Sequence, residues 1–321
     1  YVFIPANGTP EENFKHLREV YNSLEKEKKT IILLAPGQYG YGTPDQIEEE
    51  FVNINNTFLL TNINVSLVSL TGKADVEFLN LKTRISDVII PVGAGNIPRN
   101  YLKIRGIKFI NNNSELNHEV FSLNEIPSFV LIENCEVDDN TSEAFVNNKG
   151  RIVNCISKAA YSFGGDHAAT TEFIGCEGGD NSFNGSHITG LFRNCKAGSQ
   201  SFGYENTIDI VNAEFYYCEG GDNAFGNSNI EISDSNFINC IGGSNSFNGN
   251  MLNCNFRYCY SELGFSGSSI QDSTFTHCTA EASFSQGATV TNTQYILCSS
   301  EMNQGYFSLG TNMGSVGQYT P

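Results

Sequence analysis

Apolar residues recur at a fixed interval through the second half of the chain. Nine cysteines follow one another at intervals of 19 to 23 residues, and in the central units a phenylalanine stands three residues before each cysteine and another seven residues after it. The cysteines are Cys135, Cys155, Cys176, Cys195, Cys218, Cys240, Cys259, Cys278 and Cys298. Such a period is typical of a solenoid, in which each repeat buries its apolar face against the next.

Polar residues keep the same register as the cysteines. Each central unit has small residues such as Gly178-Gly179 two and three positions after its cysteine, then an amide residue: Asn181, Gln200, Asn223 and Asn245. A period of about 20 residues is too short for a pair of helices, so we predict coils of short parallel strands. We expect interior columns of cysteine and phenylalanine, and a corner where glycines supply the positive φ and the amides stack as a ladder. Phe173 and Cys176 have opposite parity, which predicts a corner or bulge between them.

The first part of the chain has a different pattern. Thr9, Pro10 and Glu12 form the signature of a capping box with proline in the first turn, and apolar residues follow at helical spacing: Phe14, Leu17, Tyr21 and Leu24. An apolar run at 31–35 then ends in a Pro-Gly turn. We predict a short amphipathic helix followed by a buried strand, with further strands at 65–70, 76–79, 102–109 and 129–132.

The motif Phe-x-x-Cys followed by Gly-Gly-x-Asn-Ser-Phe, seen at 173–183, resembles the right-handed parallel β-helix of the pectin-lyase-like group. It is most similar to repeat-bearing tail-fibre and tailspike proteins of bacteriophages. The capped apolar opening of the chain is similar to the opening of many such proteins. The resemblance implies an N-terminal cap at 1–50, a β-helix at 51–310 and a C-terminal tail at 311–321.

The composition of the chain argues against several classes of binding partner. With 18 basic and 35 acidic residues, the net charge of −17 opposes binding to nucleic acid or to an anionic membrane surface. No apolar run approaches the roughly 20 residues that span a bilayer, so we expect no membrane insertion. We expect free buried thiols and neither a metal nor a cofactor, because no Cys-x-x-Cys and no histidine column is present. The nine regularly spaced cysteines are called the lattice cysteines below. Cys254 is not one of them, and it is either exposed or fills a second core position.

Two classes of function follow. The resemblance implies a virion protein, either structural or receptor-binding, that assembles in the host cytoplasm as a homotrimer and contacts host-surface glycan or other virion proteins. Tyr204, Tyr216 and Tyr258 are candidate glycan contacts, since flat aromatic faces suit sugar C–H surfaces. The alternative is a polysaccharide depolymerase, either a lyase or a glycoside hydrolase. Its candidate carboxylates are Asp180 and Asp222, two coils and about 10 Å apart, near the upper spacing of inverting glycosidases.

Overall fold

The chain folds as a right-handed parallel β-helix with one α-helix between its first two strands. A computed structural model describes residues 1–25, 28–41, 57–60, 64–84, 102–110, 121–122, 130–138, 150–157, 162–164, 171–184, 187–203, 209–265, 267–282, 284, 288–300, 306–308, 311–313 and 318–320. They fall into two compact units, 1–163 and 164–321. Among these residues, none of the helices is long and apolar enough to cross a membrane.

The predicted helix is present as α1 (Pro10–Ser23). Thr9 Oγ1 accepts the backbone N–H of Glu12, and the Glu12 carboxylate accepts the backbone N–H of Thr9, so the capping box is complete. Its apolar face is buried: Phe14 and Tyr21 both meet the ring of Phe58 edge-on, at 5.7 Å and 5.3 Å. The helix therefore covers the core of the first coils.

Three parallel sheets form the first unit, and each coil contributes a strand to one or more of them. The first sheet contains β1 (Val2–Ile4), β2 (Thr30–Leu34), β5 (Val65–Ser69), β8 (Leu102–Arg105), β11 (Val130–Glu133) and β13 (Arg151–Val153). The second contains β3 (Gly37–Gly40), β6 (Val76–Leu79), β9 (Ile107–Ile110), β12 (Glu136–Asp138) and β14 (Ile156–Ser157). The third contains β4 (Thr57–Leu59), β7 (Lys82–Arg84) and β10 (Phe121–Ser122).

The second unit repeats this plan, and most of its strands are two or three residues long. One row runs through β15 (Glu172–Ile174), β16 (His187–Arg193), β17 (Asp209–Tyr216), β20 (Asn236–Ile238), β23 (Asn255–Arg257), β26 (Thr274–Thr276), β29 (Gln294–Ile296) and β32 (Thr311–Met313). A second continues from β17 through β19 (Glu231–Ser233), β22 (Asn250–Leu252), β25 (Ser269–Gln271) and β28 (Thr289–Thr291). A third contains β18 (Glu219–Gly220), β21 (Ile241–Gly242), β24 (Tyr260–Ser261), β27 (Thr279–Ala280) and β30 (Ser299–Ser300), and β31 (Tyr306–Ser308) pairs with β33 (Gln318–Thr320).

Two phenylalanine columns fill the interior of the second unit, as the sequence predicts. Rings within a column stack nearly parallel: Phe215 and Phe237 are 4.8 Å apart at 3°, and Phe202 and Phe225 are 4.9 Å apart at 5°. Rings of different columns meet edge-on, as Phe215 and Phe225 do at 5.6 Å and 85°. The stacking period matches the inter-strand spacing of about 4.8 Å, so the backbone register and the aromatic packing support each other.

The coil turns its corners through residues in the left-handed conformation. Gly175, with φ of 64°, forms the corner expected before Cys176. At the next corner, Asn181 and Gln200 themselves have φ of 55° and 58°, so the prediction that neighbouring glycines supply the positive φ is wrong. Glycine is needed there for space, because a Cβ on Gly198 would lie 2.9 Å from the backbone nitrogen of Asp180 one coil earlier.

Side-chain hydrogen bonds between coils occur at a different corner from the predicted amide ladder. Asn253 donates to Asp234 Oδ1 at 2.6 Å, and Asn292 donates to Asp272 Oδ1 at 2.6 Å. Carboxylate and carboxamide thus alternate from coil to coil, which places an amide donor beside each carboxylate instead of a second negative charge.

Candidate functional site

The two aspartates considered for catalysis lie at exposed turns of the second unit. Asp180 Oδ1 accepts the backbone N–H of Ser199 at 2.7 Å, and Asp222 Oδ1 accepts the backbone N–H of Ser244 at 2.8 Å. Each carboxylate therefore fastens the turn of the following coil. Their separation of two coils corresponds to about 10 Å, with Ser199 in the coil between them. A catalytic role for the pair stays a prediction.

A charge ladder lies directly after the cysteine column. Lys196 pairs in register with Glu177 and with Glu219, and its Nζ lies 2.9 Å from the Glu219 carboxylate. The hydrogen bond to Glu219 and its charge raise the pKa of Lys196. The alternation of sign from coil to coil supports the strand register, because like charges at this spacing would repel.

The candidate glycan-contacting tyrosines occupy different positions. Tyr204 lies outside the described residues. Tyr216 is half-buried: its hydroxyl donates to Glu214 at 3.3 Å, the Arg193 guanidinium lies 5.6 Å from its ring centre, and partial burial raises its pKa. Tyr258 is 46% exposed and lies on a corner. Of the three candidates, only Tyr258 therefore lies on a surface feature that continues from coil to coil. Tyr217, the residue after Tyr216, lies on the same feature.

That feature is the pre-cysteine corner, the residue immediately before each lattice cysteine. In five consecutive coils of the second unit it carries side chains that we call the corner strip: Tyr217, Asn239, Tyr258, His277 and Leu297. Backbone hydrogen bonds link each corner to the next coil, for example from the Tyr258 nitrogen to the carbonyl oxygen of Thr276 at 2.9 Å. The strip residues thus follow one another at the inter-strand spacing of about 4.8 Å.

The backbone conformation of the corner strip is unusual for its side chains. Tyr217, Tyr258, His277 and Leu297 have φ between 52° and 55°, a left-handed region that bulky residues seldom adopt. The same corner carries asparagine, which tolerates this region, at Asn134, Asn154, Asn194 and Asn239. Four coils therefore hold a bulky, solvent-exposed side chain in a conformation that disfavours it.

Contacts within the corner strip order some of its rings. The rings of Tyr258 and His277 are stacked at 5.0 Å and 10°, and the Arg257 guanidinium lies 5.1 Å from the centre of the Tyr258 ring. Stacking and cation–π contacts of this kind contribute about 0.5–1.5 kcal/mol each at exposed sites. In this arrangement the two rings cover each other's faces, and their edges meet the solvent.

Of the strip residues, the sequence analysis names Tyr258 as a glycan contact, and it does not identify His277 or Leu297 as its neighbours. The signal that identifies them is register: aligning the coils on their cysteines shows asparagine at this corner in four coils and bulkier side chains in four others. Composition alone cannot show this, because a single exposed tyrosine or leucine is ordinary on a protein surface.

The thiols are free and buried, as predicted, in all ten cysteines. Each lattice cysteine donates to the carbonyl oxygen two residues earlier, and Cys218 also reaches the Phe192 carbonyl one coil back at 3.4 Å. Cys254 fills a second core position in register with Ser235 and Ser273, and burial raises its pKa to about 11. Burial likewise raises the pKa of the thiols of Cys218, Cys240, Cys259 and Cys278. Thiols that stay neutral are poor nucleophiles, so these cysteines act as packing residues. Within the described residues, no group of three His, Cys, Asp or Glu side chains could hold a metal ion.

Comparison with known proteins finds similarity only among solved structures. No family model and no curated protein sequence matches the chain. The chain is similar to ORF18 of Geobacillus virus E2, with 11% identity and a TM-score of 0.29 over 99% of this chain and 60% of that one. It is also similar to the tailspike protein gp49 from Acinetobacter baumannii bacteriophage Fri1, a capsular polysaccharide depolymerase, with 13% identity and a TM-score of 0.23 over 98% and 62%. The chain thus spans about 60% of the length of these structures. Similarity at this level assigns no function.

Proposed function

We propose that this protein is a receptor-binding component of a bacteriophage particle and that it contacts polysaccharide on the host surface through the corner strip. The proposal rests on four bulky, exposed side chains whose backbone is left-handed. Other coils have asparagine at the same corner, so the fold does not require a bulky side chain there. Phe183, Phe202 and Phe247 also have positive φ, but they are buried in the core, whereas the four strip side chains are exposed.

The dimensions of the strip fit an extended sugar polymer. One side chain appears per coil, every 4.8 Å or so along the solenoid axis, which is close to the length of one pyranose ring. The Tyr258–His277 pair presents ring edges and the Tyr258 hydroxyl to a ligand, and Arg257 offers further hydrogen bonds. A glycan laid along the axis would meet one strip residue per sugar.

Charge also favours this surface. At Asn239, Tyr258, His277 and Leu297, the residues directly before the corner and directly after its cysteine include no carboxylate. Glu219, however, follows Cys218 beside Tyr217, and Glu281 accepts a hydrogen bond from Tyr260. A neutral polysaccharide can therefore approach the strip without electrostatic cost, whereas an anionic one would meet a carboxylate beside Tyr217.

The decisive experiment measures retention of the purified protein on immobilised surface polysaccharides from candidate bacterial hosts. Tyr258→Asn restores the residue found at this corner in other coils, so it removes the ring without disturbing the backbone. We expect this variant to lose at least about tenfold in affinity, or about 1.4 kcal/mol. The matched control is Leu263→Ser, which changes an exposed apolar residue at another corner. Equal retention of Tyr258→Asn and wild type would contradict the proposal.

The depolymerase alternative is separated in the same assay by following new reducing ends and unsaturated products. Cleavage that disappears in both Asp180→Asn and Asp222→Asn, while retention persists, would assign catalysis to these carboxylates. Retention without cleavage supports a receptor-binding protein. If neither retention nor cleavage occurs with any host polysaccharide, the protein is a structural part of the particle.

A further inference from the structure

A recess in the first unit lies outside the corner strip and shares no residue with it. It has a volume of about 290 Å³ and is lined by Gly72, Lys73, Ala74, Asn134, Cys135, Glu136, Asn154 and Ile156. Three coils contribute to it: the turn after β5 forms one wall, and the pre-cysteine corners before Cys135 and Cys155 form the other. Its volume is near the lower end for small-molecule sites, about 300 Å³.

The turn that forms the first wall is rigid. Both oxygens of Asp75 accept hydroxyl hydrogen bonds, from Ser69 at 2.7 Å and from Thr71 at 2.6 Å. The Thr71 hydroxyl in turn accepts the backbone N–H of Lys73 at 3.1 Å. A site whose walls are fixed before the ligand arrives loses little entropy on binding.

The same turn lies close against the neighbouring coil. A Cβ on Gly106 would lie 2.5 Å from the carbonyl oxygen of Lys73, so only glycine permits this approach. Farther along, the Asn134 carboxamide donates to the carbonyl oxygen of Gly72 at 3.1 Å. The turn is therefore fastened across two later coils, an arrangement that the solenoid itself does not require.

Polar groups of opposite character line the recess. Within the described part of the chain, the side chains of Lys73 and Glu136 have no hydrogen-bond or ion-pair partner. The Asn154 side-chain Nδ2 donates to Asn134 Oδ1 at 3.4 Å. The side-chain oxygen of Asn154, Oδ1, has no partner among the described residues. The recess thus offers an ammonium donor, a carboxylate acceptor and an amide acceptor with no net charge, beside the apolar side chains of Ala74 and Ile156.

We propose that this recess binds one neutral pyranose unit, either a free monosaccharide or the terminal or branch residue of a glycan. Hydroxyl groups both donate and accept, so a polyol can satisfy Lys73, Glu136 and Asn154 together, whereas a charged ligand would be repelled by one of the two ions. The C–H face of the ring packs on Ile156, which is 37% exposed.

The test is a titration of ¹⁵N-labelled full-length protein followed by NMR. Methyl β-glucopyranoside, methyl β-galactopyranoside and N-acetylglucosamine are the neutral probes, and glucuronate is the anionic probe. We expect saturable shifts of the Asn154 side-chain amide and of the Gly72 and Lys73 backbone amides for at least one neutral probe, with a Kd of about 1 mM. Glycans that end in the same sugar then separate the two sources: tighter binding than the methyl glycoside indicates a glycan terminus, and equal binding indicates the monosaccharide.

Two variants assign the shifts to the recess. Asn154 has φ of 51°, so Asn154→Gly removes the carboxamide and keeps the left-handed corner, and Lys73→Ala removes the ammonium from an exposed turn. Both variants should weaken binding about tenfold. Asn194→Gly, the same change at the same corner in the second unit, should leave it unchanged. No saturable shift with any neutral probe, binding of glucuronate alone, or full binding by both variants would overturn the proposal. None of these results depends on the corner strip, so the two proposals fail separately.

Discussion

At the scale of single residues, the backbone conformation of the corner determines which side chains are favourable. Asparagine tolerates the left-handed region because its short polar side chain can hydrogen-bond locally, whereas a bulky side chain costs roughly 1 kcal/mol there. Tyr217 has φ of 55° and is 59% exposed. Its ring is therefore placed in solvent at an energetic cost to the fold, which is the reason for assigning the corner strip to binding.

Tyr217→Asn should raise the free energy of unfolding by about 0.5–1 kcal/mol, because it relieves the left-handed tyrosine and removes no core contact. Asn239→Tyr, the reverse change one coil later, should lower it by a similar amount. Urea unfolding of both variants at one pH measures the two values. A loss of stability in Tyr217→Asn would contradict the conformational argument.

The buried thiols make stability depend on alkaline pH. Burial raises the pKa of Cys254 to about 11, above the value of about 8.5 for an unfolded thiol. The stabilising contribution of the neutral thiol is therefore complete below about pH 8.5 and is lost as the pH rises towards 11. We expect the urea midpoint to fall over this window.

Cys254→Ser provides the matched control, since serine occupies the equivalent position at Ser235 and Ser273. The fall in the urea midpoint should be shallower in this variant, because one of the titrating thiols has been removed. A midpoint that rises with pH, or identical slopes in the two proteins, would contradict the assignment.

At the scale of elements, the aromatic columns hold successive coils together. Phe225 lies between Phe202 and Phe247, at 4.9 Å and 4.7 Å with nearly parallel rings. Its edge also meets the rings of the other column, at Phe215 and Phe237. Removing one ring therefore opens a cavity bounded by four others.

Phe225→Ala should cost about 3–5 kcal/mol of unfolding free energy, because the column cannot close over the missing ring. Asp180→Ala should cost about 1 kcal/mol or less, since it removes one exposed hydrogen bond to the Ser199 backbone. Denaturant melts of the two variants give the comparison. Equal and small losses would show that the phenylalanines do not form the core.

The sequence predicted the elements better than the corners. The capping box and the spacing of Phe14, Leu17 and Tyr21 identified α1, and the cysteine period identified the coils. The run 102–109 was predicted as one strand, but it is divided into β8 and β9 at Gly106, whose φ is +72°. Hydrophobic alternation predicts which residues face inward, because burial follows from it directly.

The conformation of the corners and the residues of the candidate site were harder to predict from the sequence. Asparagine and glycine both permit positive φ, so the sequence did not show which one takes it at 178–181. The distinction depends on the approach of the next coil, where a Cβ on Gly198 would meet the backbone of Asp180. The recess combines residues some 80 positions apart, from Gly72 to Ile156, and such proximity follows only from the stacking of coils.

At the scale of the whole molecule, the acidic charge and the exposed apolar residues have opposing effects. The net charge of −17 keeps separate copies apart through long-range repulsion, which salt screens. Several large apolar side chains that do not belong to the corner strip are nevertheless exposed, including Ile241 at 50%, Leu263 at 42% and Leu252 at 38%. Such residues favour burial against another protein surface.

We propose that the protein assembles as a homotrimer, as the resemblance to phage spikes implies. Sedimentation velocity at micromolar concentration should show a trimer, and added salt should strengthen the association because it screens repulsion between acidic chains. A monomer across this range of salt would contradict the proposal. Assembly with other virion proteins would appear as a larger complex only when those proteins are added.

The in-register aromatic stack makes coils of the second unit nearly interchangeable. Phe215, Phe237 and Phe256 pair directly from strand to strand, so the surface above one coil closely resembles the surface above the next. A recombination event that duplicates or deletes the codons of one whole coil therefore leaves two ends that can rejoin without a mismatch. Each event would lengthen or shorten the corner strip by one residue. Adaptation to a longer or shorter ligand could thus proceed in whole-coil steps, with the phenylalanine columns preserved at every step.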